Sequence, residues 1–430
     1  MKIINIVPGF GGTFYCGNCL RDSAYVRSLR QAGHDAITLP VYLPLTMNGN
    51  LEQSEIPVFY GAVNIYLKQQ FPWLRNMPGW MEHMFNAKWI LKYAASKAGS
   101  TRAEGLEAMT ESMLLGIDGN QATELRQLVD YLKYHEKPDV VHFSNALLLG
   151  MAALIKKEVG IPVVCSLQDE DVWIDAMHQN YQDKIWKLLA EKARDVDAFV
   201  AVSDFFADLM KTKLSIPDEK IHRIPIGILP GQYEYNQPNT SSPAIGFLSR
   251  ICEENGFGVL VDAFIRLKSF KEFKSLRLHV TGGRTNDDKA FINKQLSKLR
   301  TANSVKDVVF FDDFTADGIK AFLKNITVLS VPVLKGEAFG LYQLEAMAAG
   351  IPLVQPNLGA FPEIIQSSGG GVIYHPNTAE ALATKLKEVI SDKDLLIKMS
   401  IAGRKAIEEK FDCTKLTEKM LQVYKSVTLN

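Results

Sequence analysis

The chain has 430 residues, 47% apolar and 22% charged, too long for one hydrophobic core and too ordinary in composition for a disordered, collagen-like or coiled-coil protein. Lysine plus arginine and aspartate plus glutamate number 48 each, and a net charge of zero supplies no field to gather a polyanion, which argues against nucleic acid as a partner. Five scattered cysteines, an odd number, fit a reduced compartment better than a disulfide framework.

In chain order, Lys2 to Val7 is an apolar run ended by Pro8 and a glycine cluster. It is too short for the core of a signal peptide. Helix-patterned sequence follows from Leu20 to Gln31, Gly33 marks the stop, and Ala36 to Val41 is the next strand. This strand-helix-strand unit implies a parallel sheet.

Residues 43–135 break that rhythm and carry Trp73, Trp80 and Trp89. Met81, Phe85 and Trp89 recur at one helical face, which reads as a helical insertion packed on its own domain. The other reading is a surface for an apolar acceptor or peripheral membrane contact, with Lys88 and Lys92 behind the aromatics. The richest apolar stretch of the chain, Ala146 to Ile155, falls well short of the roughly 20 residues of a bilayer span. The expected location is therefore cytoplasmic, with membrane association at most at the surface.

Strands are expected at 139–143, 161–167, 198–202 and 221–226, with helices around 146–158, 181–194 and 204–213, the last capped by Ser203. Turn formers crowd 228–243 and place the domain boundary, giving 1–235 and 236–412. Strands near 244–249, 276–281, 307–311, 327–332, 351–355 and 371–374 then alternate with helices around 256–268, 287–300, 315–324, 341–349 and 378–391. The fold class is α/β, two Rossmann-like doubly wound domains facing across a cleft.

Such a pair of domains suggests nucleotide chemistry, and two versions of it fail on the residues. Phe14 stands where a dinucleotide fingerprint needs its third glycine, and the second strand ends without an acid for a ribose; no P-loop pattern occurs. The informative stretch is Gly336-Glu337-Ala338-Phe339-Gly340-Leu341 through Glu345 to Gly350, directly after a strand. A helix beginning at Gly340 or Leu341 offers unpaired amides and a positive dipole end to a diphosphate. Glu337 and Glu345 would stand about 12 Å apart if every residue between them were helical. That exceeds the roughly 5 to 9.5 Å of an acid and base flanking one bond, and suits the two ends of an extended ligand.

The stretch from Leu329 to Ile364, with Glu337, Glu345 and later Gly359-Ala-Phe-Pro-Glu363, resembles the retaining glycosyltransferases of the GT-B fold, family four. Val200-Ala-Val-Ser203, Lys220-Ile-His-Arg-Ile-Pro225, Gly246-Phe-Leu-Ser-Arg250 and Gly11-Gly12 extend the resemblance over most of the chain outside the insertion. It implies a metal-independent, hexosyltransferase-like transfer of a sugar from a nucleotide-diphosphate sugar to a glycan, glycolipid or small hydroxyl acceptor, with no cofactor beyond that co-substrate. It assigns Glu337 to donor-sugar hydroxyls, Glu345 to ribose hydroxyls, Phe339, Gly340 and Leu341 to backbone contacts near sugar and phosphate, Gly11 and Gly12 to the donor side, and Arg250 to the diphosphate. The final helix, 413–430, would complete the first domain.

Two departures qualify the likeness. Asn255 stands where the family usually has a lysine, so one phosphate cation is missing, and Arg284 or Lys335 is expected to replace it. Gln168-Asp169-Glu170-Asp171 stands where many relatives place a histidine, and Asp169 is the residue expected to serve the acceptor. These departures also motivate an alternative, a nucleotide-sugar-binding protein with impaired turnover that acts as a scaffold or regulator. Cys16-Gly-Asn-Cys19 lacks the further ligands of a zinc site and reads as small residues packed at a helix start. No Asp-x-Asp lies at an appropriate strand end to call for a metal.

Overall fold

The computed structural model describes residues 1–9, 17–42, 46–47, 50–51 and 105–429. Gly11, Gly12, Cys16 and the aromatic segment with Trp73, Trp80, Met81, Phe85, Lys88, Trp89 and Lys92 lie outside the described residues. The chain divides into two compact units, one of Met1–Gly12, Asp22–Pro225 and Thr417–Asn430, the other chiefly of Ile226–Leu416.

Each unit is built on parallel strands whose central members are short apolar runs buried on both faces, the pattern a sheet covered by helices on each side demands. In the first unit the strands run Asp35–Pro40, Lys2–Val7, Val140–Phe143, Val163–Leu167, Ala198–Ala201 and Ile221–Arg223 across the sheet. Lys2 pairs with Asp35 and Val7 with Pro40 at the two ends of one ladder. In the second unit the order is Val308–Phe310, Arg277–Thr281, Ala244–Leu248, Val328–Leu329, Leu353–Pro356 and Gly371–Tyr374. Numbered along the chain this is 3-2-1-4-5-6, the doubly wound order whose switch point lies between its first and fourth strands. Both units are Rossmann-like.

Helix starts follow local chemistry. Ser203 Oγ accepts the Phe206 N–H at 3.0 Å and caps Asp204–Leu214, as the sequence leads one to expect. Thr315, Thr378 and Asp392 cap three helices of the second unit in the same way.

Several elements differ from expectation. The strand expected at 327–332 pairs only over Val328–Leu329, because the Val331 amide donates to the Gln355 side chain at 3.0 Å and Pro332 has no amide to give. The helix expected from 146 opens as a tighter 3₁₀ segment, Ala146–Met151, before Ala152–Val159. There Gly150 lies so close to Met113 O that a Cβ would stand 2.1 Å from it. Phe361–Ser368 and Lys393–Lys410 are helices that turn and apolar patterns did not resolve. Within the insertion, Glu107–Leu114 and Ala122–Asp130 are helical. Cys19 is disulfide-bonded, a departure from the reading of its segment as packing residues alone, whereas Cys165, Cys252 and Cys413 form no disulfide.

Candidate functional site

In the second unit the two strands at the switch point both feed helices that open on glycine. Ala244–Leu248 leads to Phe257–Ser269 with Gly256 at its cap, and Val328–Leu329 leads to Leu341–Ala348 with Gly340 at its cap. Both glycines have positive φ, 76° and 86°, and neither helix start receives a side-chain hydrogen bond. The first amides of a helix lack the acceptor that its interior supplies, and at both ends no capping side chain stands in for it. The loops they end are packed together: a Cβ on Gly256 would stand 1.8 Å from Pro332 O, and the Leu334 amide donates to Glu254 O at 2.9 Å. The neighbouring strand end joins them, with the Ile251 amide donating to Gly283 O at 2.9 Å.

Arg250 leaves the sheet at this edge, mostly buried, 3.8 Å from Glu254 and 4.0 Å from Asp288. Burial works against its charge, and Cys252, Asp288 and Glu254 more than offset that, so its pKa lies above the ordinary value. Burial also pushes the Cys252 thiol up to about 11, and it remains a neutral thiol beside the guanidinium. Asn255 supplies no charge. Its Nδ2 donates to Ser249 Oγ at 2.8 Å and to Arg250 O at 3.0 Å, holding the turn from which Arg250 projects. Arg284 and Lys335, the expected substitutes for the missing lysine, are both exposed, and neither forms an ion pair among the described residues.

Glu337 lies in the loop before Leu341–Ala348 and accepts from Tyr342 Oη at 2.6 Å. Its backbone is pinned from the next strand end, where the Ala360 amide donates to Glu337 O at 3.0 Å. Glu345 sits inside the helix, 3% exposed, and accepts from Tyr233 Oη at 2.8 Å. Burial and that carboxylate raise the Tyr233 hydroxyl well above its ordinary pKa, so it stays a donor. Phe339, Gly340 and Leu341 are buried at the same turn. The second unit thus brings Arg250, Glu337, Gly340 and Glu345 onto consecutive loops and helices of one sheet edge. Tyr342, Tyr233 and Gln343 belong with them and were not named from the sequence. Tyr342 adjoins the motif and could have been found there, but Tyr233 is 112 residues from its partner and left no signal.

In the first unit, Gln168 to Asp171 follow Val163–Leu167 at its carboxyl end. Asp169 adopts a left-handed backbone, φ 57°, and starts the short helix Glu170–Ile174. The acid that turns inward is Glu170, whose two oxygens accept the Ala146 and Gln168 amides at 2.8 and 2.7 Å. Burial pushes Glu170 up to about 8 against the pull of those amides, and burial with the nearby Asp169 charge pushes Asp171 up to about 6. Gln168 is buried and donates to Ser144 O at 3.2 Å. The sequence reading treated this stretch as one acidic cluster; the structure divides it into a buried brace, Glu170, and the less buried Asp169.

Comparison with known proteins adds the family. The family described as Glycosyl transferases group 1 matches residues 234–406, and Glycosyltransferase Family 4 matches 116–230. The chain belongs to the group 1 glycosyltransferases. Among the relatives of this glycosyltransferase, the alpha-maltose-1-phosphate synthase of Mycolicibacterium smegmatis is 25% identical over 321 residues, 68% of this chain and 80% of its own. Sucrose-phosphate synthase from Thermosynechococcus elongatus superposes with a TM-score of 0.70 at 14% identity over 100% of both chains. HepE of Anabaena, solved with UDP and glucose, gives 0.68 at 14% identity over 99% of this chain and 100% of its own. These likenesses identify the fold of the glycosyltransferase as GT-B.

Proposed function

We propose that this glycosyltransferase moves a sugar, with retention of anomeric configuration and without a metal, from a nucleotide-diphosphate donor to a hydroxyl of a glycan, glycolipid or small acceptor. The observation that carries the reading is the pair of glycine-opened, uncapped helix starts at the switch point of the second sheet, with Arg250 beside them. A departing diphosphate is the main charge such a reaction develops. Helix amides and a guanidinium that cannot lose its proton stabilise it without a metal. HepE binding UDP and glucose, and the sugar-transferring relatives, support a nucleotide sugar as the donor.

The residues take roles that fit their surroundings. Glu337, in the loop, accepts from hydroxyls of the donor sugar; Glu345, buried in the helix, accepts from the ribose. Phe339, Gly340 and Leu341 bring backbone close to sugar and phosphate, and Asp169 receives or orients the acceptor hydroxyl. Arg284 and Lys335, both exposed, add charge on the phosphate side. Among the described residues no helix is long and apolar enough to cross a membrane, and the proposed place of work is the cytoplasm.

Titration of the protein with UDP and UDP-glucose tests the reading. Glu345→Ala is expected to weaken both ligands about tenfold or more, since hydrogen bonds to a charged group are the strong ones. Glu337→Ala is expected to weaken UDP-glucose and leave UDP unchanged. Equal affinities in wild type and both variants would remove the assignment. Binding of UDP-glucose with neither hydrolysis nor transfer over a broad acceptor set would favour the second reading, a binding protein with impaired turnover, which the neutral Asn255 motivates.

A further inference from the structure

Both acids of the donor-side motif accept from a tyrosine hydroxyl, and each tyrosine is itself held. Tyr342 Oη reaches Glu337 Oε2 at 2.6 Å, the length of a bond from a hydroxyl to an ionised carboxylate. Tyr342 is the second residue of Leu341–Ala348 and is 2% exposed, yet its ring folds back past residue 340 to meet an acid five positions upstream. A Cβ on Gly340 would stand 3.0 Å from Tyr342 Cζ and 3.0 Å from Gln343 Nε2. Glycine at 340 therefore clears the path of the ring, besides meeting its positive φ. The fully buried Gln343 donates from Nε2 to Phe339 O at 2.6 Å. Two consecutive side chains of the first helical turn thus shape the loop behind them.

The Glu337 backbone is fixed independently of this bond. Besides the Ala360 amide on its carbonyl, Gly359 packs so tightly that a Cβ there would fall 2.5 Å from both Glu337 N and O. The Tyr342 hydroxyl acts instead on the carboxylate, whose direction it helps to fix. For Glu345 the corresponding partner comes from far away in sequence. Arg404 Nη1 donates to Tyr233 O at 2.9 Å and to Ala348 O, at the end of the helix that carries Glu345, at 2.6 Å.

We propose that Tyr342 and Tyr233 are positioning residues, Tyr342 aiming Glu337 at the donor sugar and Tyr233 aiming Glu345 at the ribose. The inference rests on the donor-site reading above. An acid already aimed need not be ordered when the ligand arrives, and ordering one flexible side chain costs up to about tenfold in affinity.

The test is calorimetric titration of the full chain with UDP and with UDP-glucose, in wild type, Tyr342→Phe, Tyr233→Phe, Glu337→Ala and Tyr342→Phe/Glu337→Ala. Phenylalanine keeps each ring and removes only the hydroxyl. Tyr342→Phe is expected to weaken UDP-glucose about tenfold and leave UDP unchanged, whereas Tyr233→Phe weakens both by a similar factor. In the Glu337→Ala background, Tyr342→Phe should have no further effect. Uniform weakening of both ligands in both tyrosine variants would mean a general structural role and overturn the proposal. If Glu337→Ala alters the preference for UDP-glucose and Tyr342→Phe does not, the tyrosine assignment fails and the donor site stands. If Glu337→Ala leaves that preference unchanged, or wild type binds neither ligand, the donor-site reading fails and the proposal falls with it.

Discussion

Asn255 stands where the family resemblance leads one to expect a cation, and it does a different job there. Its amide ties Ser249 Oγ to Arg250 O, so the loss of a charge is coupled to a firmer seat for the charge that remains. If the seat matters, Asn255→Ala should weaken UDP binding about tenfold, the scale of two lost hydrogen bonds, and Asn255→Lys should also bind below wild type because it loses the same bonds. Affinity for UDP above wild type in Asn255→Lys would show that the missing charge sets the limit. Glu337 and Glu345 were legible as candidates because a short stretch of sequence holds both around a glycine and a helix start, and Arg250 through the family resemblance. The bond from Tyr233 to Glu345 was not, since nothing local marks a contact between residues 112 positions apart.

At the scale of elements, the sequence pattern placed most strands and helices because buried parallel strands read as unbroken apolar runs. It overran the strand Val328–Leu329, beyond which the Gln355 side chain takes the Val331 amide ahead of the loop that carries Glu337. It also read Gln168 to Asp171 as one acidic cluster for the acceptor, because charge in a sequence does not announce burial. Glu170 is buried there with both oxygens on backbone amides. Its pKa rises from 4.5 to about 8 on folding, so the unfolded chain loses this proton first. The stabilisation from its protonated form is complete below pH 4.5 and is lost as the pH rises through about 8. All five tryptophans precede Pro225, so tryptophan fluorescence follows the first unit. By that signal, Glu170→Gln should gain in urea midpoint relative to wild type between pH 5 and pH 8.5. A difference that does not change with pH would contradict the raised pKa.

At the scale of the whole molecule, two sheets of the same design differ in how their edges end. The first sheet is closed in part by the last helix, Cys413–Thr428, whose Tyr424 hydroxyl meets His142 Nδ1 at 2.5 Å while His142 Nε2 meets Ser166 Oγ at 2.8 Å. Repetition of strand and helix in the sequence made two such sheets legible, whereas this tie spans 282 residues and belongs to the packing alone. The second sheet ends at its switch point in two helix starts that no side chain caps. That edge is the centre of the functional account, and a crystal structure of the protein grown with UDP examines it directly. The account predicts the diphosphate within about 3 Å of the amides that open Leu341–Ala348 and of the Arg250 guanidinium, with the ribose hydroxyls on Glu345. UDP seated away from that helix start, with Glu345 still out of its reach, would contradict it.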